Sequence, residues 1–164
     1  MRPLTPREIR ASFVNCTKGE ASRMNIPHDL DSRPWSELEY LGWRDPQSPA
    51  RGYLVAELDG QLKGLTLRAP QSTVGFARKS MCSLCMTMQS GGVSLMVAPR
   101  AGSRGQHGNT VGTYICSDLQ CSVSIRGKRP VGGPGIPETL STEDRAARLL
   151  THLEEFLGRV CAPR

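Results

Sequence analysis

The side chains best placed to do chemistry are cysteines. Cys82 and Cys85 are separated by two residues in "SMCSLCMTM", and Cys116 and Cys121 by four in "TYICSDLQCS". Four thiolates brought together form a tetrahedral sulfur cage. That ligand set suits zinc, with sulfur about 2.3 Å from the metal. A tight turn supplies the first pair, and the fold must bring up the second. A single C-x-x-C also fits a redox dithiol, but that chemistry needs a βαβ setting that is not legible here. It also leaves the second pair unexplained. An iron–sulfur cluster can use four cysteines, yet the close triplet common in such sites is missing. Cys16 and Cys161 have no partner spacing and read as ordinary thiols.

Four thiolates leave a zinc ion no open position, whereas catalytic zinc keeps a water. The expected cofactor is therefore one structural Zn²⁺, contributing on the order of 10 kcal/mol or more to folding. His107 and Asn109 in "RGQHGNTVG" invite comparison with metal-dependent nucleases. The other histidines, His28 and His152, lie far away in sequence, and no carboxylate pair or Ser–His–Asp set is legible. The chain is not expected to be an enzyme.

The elements that must hold these ligands can be read in part. "GVSLMVAPR" (92–100) and "NTVGTYIC" (109–116) read as strands, joined by the glycine-rich basic loop "AGSRGQHG". Cys116 then ends a strand. If Ser117 or Asp118 caps a helix, Cys121 sits near its positive end, which favours the thiolate. Against this, Ser122, Val123, Ser124 and Ile125 are poor helix formers that alternate like a strand. A knuckle, a hairpin, a ligand at a strand end and one at a helix start make a treble clef. "GYLVAELDGQLKGLTLRAP" is a hairpin about Asp59-Gly60. The fold class is thus α+β, a small antiparallel sheet of about four strands with a four-cysteine treble clef and flanking helices.

The flanks carry helix signals. Thr5, Pro6 and Glu8 open a capped helix in "LTPREIRASFVN". Trp35, Leu38 and Leu41 in "WSELEYLGWRDP" fall on helical spacing up to Gly42. "PVGGPGIPETL" (130–140) reads as a linker. After it, "STEDRAARLLTHLEEFLGRV" is an amphipathic helix over 141–160 expected to pack on the domain. The domain itself spans 1–129, with its zinc finger at 78–129.

Charge points to a partner. Residues 78–129 hold seven basic residues against one acid, Asp118, a surplus equal to the chain's whole net charge of +6. Such a field attracts nucleic acid or an acidic protein face. Aromatics make up only 5% of the chain, which argues against stacking on single strands. There is no apolar run long enough to cross a bilayer and no secretory leader, so a cytoplasmic location is expected, with no membrane and no small-molecule substrate.

"SFVNCTKGE", "LGWRDP", "MCSLCMT" and "GVSLMVAPRAGSRGQHGNTVGTYICSDLQCSVSIRGK" together resemble the elongation-factor-G-binding protein family, of the FusB type of fusidic acid resistance. The likeness covers about residues 4–160 and is similar to the short single-domain form of actinobacteria. It implies a zinc-bound treble clef joined to a small sheet, with Cys82, Cys85, Cys116 and Cys121 as ligands. It implies binding to elongation factor G and help in its release from the ribosome, without catalysis. The partner face would comprise 100–109 and 113–128, with Arg100, Arg104, His107, Asn109, Tyr114, Asp118 and Arg126 as contacts. The alternative is a ribosome-binding protein that uses the same basic face on ribosomal RNA.

Overall fold

The computed structural model describes residues 1–69, 79–90, 92–128 and 138–162. Most of the expected linker, together with Arg78 and Arg129, lies outside the described residues. The centre is a five-stranded antiparallel sheet in the order β1-β2-β3-β6-β7. Its strands are β1 (Tyr40–Arg44), β2 (Arg51–Leu58), β3 (Gln61–Arg68), β6 (Val93–Pro99) and β7 (Thr110–Cys116). Two short strands, β4 (Lys79–Met81) and β5 (Met88–Ser90), pair separately as the knuckle hairpin. The class is α+β as expected, with one more strand in the main sheet than the sequence suggested.

That extra strand is β1, where the sequence pointed to a helix. Only Trp35–Glu37 makes a helical turn, of the 3-10 kind. Tyr40–Arg44 instead pairs with β2, with Tyr40 opposite Ala56 and Arg44 opposite Gly52. Tertiary burial overrides the helical spacing. Leu41 and Trp43 point to one face of the sheet and Tyr40 to the other, so both faces of the strand are covered. Gly42 is not a helix stop. A β-carbon there would lie 2.4 Å from the carbonyl oxygen of Leu119, so the position must stay bare for the chain to cross.

The hairpin β2–β3 follows its turn chemistry. Asp59 and Gly60 both have positive φ, 51° and 71°, as a two-residue type I′ turn requires. The N-terminal segment covers one face. Helix α1 (Pro6–Ser12) starts with the expected capping box of Thr5 and Glu8. A second box, Thr17 with Glu20, starts α2 (Lys18–Ser22). Ile9, Met24, Trp35, Leu38, Leu41, Trp43, Tyr53 and Val55 form the core on this side.

The other face packs on the finger and on α5 (Thr142–Cys161), which is capped by Ser141. Leu149, Leu153, Phe156, Leu157 and Val160 of α5 are buried with Leu54, Leu65, Met96, Ile115 and the four clustered cysteines in one core. The basic loop 101–108 contains a one-turn helix, α3 (Ser103–Gln106). No helix is long and apolar enough to cross a membrane among the described residues.

Candidate metal centre

Each ligand is placed by a different device. Cys82 and Cys85 lie in the turn between β4 and β5, where the Cys85 N–H donates to the Cys82 sulfur at 3.4 Å. The Met86 N–H closes that turn on the Cys82 carbonyl at 2.9 Å, and Met86 takes a φ of 57°. Left-handed backbone is costly for a residue with a side chain. Cys116 ends β7 and Cys121 begins α4 (Cys121–Ile125). The helix forms despite weak intrinsic propensity because Cys121, Ser122, Ser124 and Ile125 are all buried against the fold.

Neither Ser117 nor Asp118 caps α4. The N-cap is Gln120, and the Ser117 hydroxyl pairs with that of Ser94 at 2.6 Å. Asp118 accepts instead from the Gln120 N–H at 3.1 Å, shaping the turn before the helix. That turn is docked on the sheet. Leu119, with a φ of 61°, packs over Gly42 and Gly52, and the Gln120 side-chain amide donates to the Gly42 carbonyl at 2.8 Å. α4 is tied as well to Glu39, the residue that leads into β1. The Glu39 N–H donates to Ser122 Oγ at 3.0 Å, and Arg126 grips the Glu39 carboxylate at 2.8 and 2.9 Å.

The four sulfurs converge and are buried. All lie within 4.8 Å of one another. Cys82 and Cys121 are 3.7 Å apart, and Cys85 and Cys116 are 3.6 Å apart. A tetrahedron of sulfurs about 2.3 Å from a central ion has edges of about 3.8 Å, so one zinc ion fits the space. Disulfide bonding needs about 2.05 Å, so these are four free thiols around a single point. Hydrogen bonding, first from Cys116 and then from Cys121, holds the Cys82 and Cys85 thiols below their ordinary range, and hydrogen bonding with Cys116 pushes Cys121 well above it. Four bare thiolate charges cannot be carried out of water together, and a dication held by Cys82, Cys85, Cys116 and Cys121 would let every thiol ionise.

The sequence matches the FBP C-terminal treble-clef zinc-finger family over residues 8–160. The chain belongs to that family. No curated protein and no solved structure gives a match. Cys82, Cys85, Cys116 and Cys121 form the zinc-binding site of this FBP-type domain.

Around the FBP-type centre, the other residues singled out from the sequence are scattered in role. Tyr114 is 45% exposed on β7, and its carbonyl accepts from the knuckle's Ser83 N–H at 2.7 Å. Arg100 follows β6 and donates to the Arg159 carbonyl near the end of α5 at 2.9 Å. Arg104 lies in α3, with His107 and Asn109 exposed just after it. Arg126 is taken up by Glu39, and Lys128 pairs with Glu37. Two of the seven basic residues behind the segment's surplus are therefore neutralised by acids from another part of the chain.

Sequence reasoning missed the apolar rim of this site. Met81 and Met86, beside the first two ligands, are 38% and 37% exposed. Their adjacency to the C-x-x-C turn was the available signal, since both ends of a tight knuckle must point outward. It also missed the tie between the knuckle and α5, where His152 Nδ1 meets the Leu84 carbonyl at 3.0 Å.

Proposed function

We propose that the chain is a binding protein whose zinc-held face docks on translation elongation factor G and modulates its release from the ribosome, as fusidic-acid-resistance proteins do. The observation that supports this most directly is the exposed apolar group at the metal. Met81, Met86 and Tyr114 are three of the four large apolar residues exposed among those described. Methionine and aromatic side chains are enriched where proteins meet. Met81 and Met86 flank the metal-braced turn, and Tyr114 lies on the strand whose carbonyl that turn hydrogen-bonds, so all three are held in place for contact. Arg100, Arg104, His107 and Asn109 give the polar rim, and Asp118 adds an acid at the ligand turn. Arg126 serves this face by holding α4 rather than by reaching the partner. The zinc is structural in this reading, and no catalysis is assigned.

Docking on ribosomal RNA is the weaker reading. Arg126 and Lys128 already have carboxylate partners, and the exposed residues directly adjoining Cys82 and Cys85 are Met81 and Met86 rather than cations. Titration of the zinc-loaded protein with purified elongation factor G and, separately, with ribosomal RNA distinguishes the two. The proposal expects saturable binding to the factor, weakened about tenfold or more by Tyr114→Ala. Binding to RNA alone, with affinity falling steeply as salt rises, would contradict it.

A further inference from the structure

Tyr40 has a buried hydroxyl with no use in the fold. The side chain is 2% exposed and lies in the same core as the four cysteines. Its oxygen makes no hydrogen bond. The other buried unpaired side-chain atoms among the described residues are the Nε atoms of Arg145 and Arg148, and those guanidinium groups donate elsewhere, to the Ser124 carbonyl and to Glu138. Tyr40 is different because its whole polar group is unsatisfied. Its ring edge lies beside Gly42 against Leu119, in the turn between Cys116 and Cys121, and burial, then the neighbouring thiols with Cys121 foremost, push the phenol well above its ordinary range.

The metal site lacks what Tyr40 has to give. Zinc with four thiolates carries a net charge of −2 in a dry core, and donors to the sulfurs are what offset it. Cys82 accepts from the Cys85 N–H at 3.4 Å. Cys116 lies 3.8 Å from the Ser124 hydroxyl. Among the described residues, the only group seen within hydrogen-bonding reach of the Cys121 sulfur is the Cys82 thiol, at 3.7 Å, whose proton is lost when zinc binds. A neutral thiol accepts weakly, whereas a zinc-bound thiolate is a charged acceptor.

We propose that Tyr40 is a positioning residue of the metal centre, whose phenolic O–H donates to the Cys121 thiolate when zinc is bound. The hydroxyl then gives the Cys121 thiolate a donor from outside the finger. Its location on β1 makes the sheet, and not only the finger, a partner in holding the metal. This inference rests on the zinc site and is independent of what the protein docks on.

Tyr40→Phe removes one oxygen and keeps the ring, so the two outcomes differ in sign. If the hydroxyl is a donor, the variant holds zinc about 10- to 100-fold less tightly in competition with a chromophoric chelator. In the Co²⁺-substituted protein, its thiolate-to-metal charge-transfer band moves to lower energy, because the undamped sulfur gives up charge more readily. If the hydroxyl is merely stranded, removing it raises the melting temperature of the zinc-loaded protein and leaves affinity and band unchanged, and the proposal fails. The wild-type protein loaded with ¹¹³Cd gives an independent reading that needs no variant. A Tyr40 hydroxyl proton with scalar coupling to the metal supports the bond, and the same proton seen without coupling overturns it.

Discussion

The carbonyl of Leu119 rests so closely on Gly42 that a β-carbon at Gly42 would lie 2.4 Å from the oxygen. Through this contact the turn carrying Cys116 and Cys121 is seated on the first strand of the sheet. The clash at Gly42 is with backbone, which cannot rotate away as a side chain can. Gly42→Ala therefore shifts the ligand turn and is expected to cost about 2–3 kcal/mol or more, in the range of overpacked cores. Denaturant titration of the zinc-loaded variant measures that cost, and chelator competition should show weaker zinc binding in the same protein.

The Arg126–Glu39 pair ties the end of α4 to the residue that leads into β1, and Glu39 keeps only 8% of its side chain exposed. Removing one partner strands the other charge. Arg126→Ala is expected to destabilise the fold by about 2–4 kcal/mol. The neighbouring pair, Lys128 with Glu37, is far more exposed, and Lys128→Ala should cost at most about 0.5 kcal/mol. Parallel unfolding curves for the two variants check the contrast.

Met86 combines a left-handed backbone with an exposed side chain on the knuckle. Glycine relieves roughly 1–2 kcal/mol of strain at such a position, less the larger entropy it loses on folding. Met86→Gly should therefore gain about 0.5 kcal/mol in stability while weakening binding to the partner. Improved stability with reduced docking in one variant separates the contact role from a structural one.

Of these features, the ligands were legible because two cysteine pairs need little else to be recognised. The hairpin and the first capped helix followed from Asp59-Gly60 and from Thr5 with Glu8, whose chemistry is local. β1 was not legible. Its apolar residues fit helical spacing, and only pairing with β2 and burial on both faces make it a strand. α4 likewise depends on burial that no five-residue window can show. The box formed by Thr17 and Glu20 was present in the sequence, and it marks α2 by the same rule that marks α1. The charge surplus read along the chain overstated the free surface, because Glu37 and Glu39 come from a distant segment.

The capping box of α1 makes a pH prediction. The Thr5 N–H, then the Thr5 hydroxyl and Arg2, lower the Glu8 carboxyl from its ordinary 4.5 to about 2. A depressed carboxylate pKa stabilises the fold at pH values above the unfolded value, and the contribution disappears as pH falls through the folded one. Glu8→Gln should therefore melt below wild type at pH 6–7. The gap should narrow as pH drops from about 4.5 towards 2. Melting curves of both proteins across that range measure it.

Native mass spectrometry with and without elongation factor G tests most directly whether a zinc-held face is what binds. One zinc per chain, a one-to-one complex with the factor, and loss of both the complex and the compact fold on chelation are the results expected. A compact, metal-free chain would contradict the metal centre, and a zinc-loaded chain that forms no complex with the factor at micromolar concentration and low salt would contradict the docking.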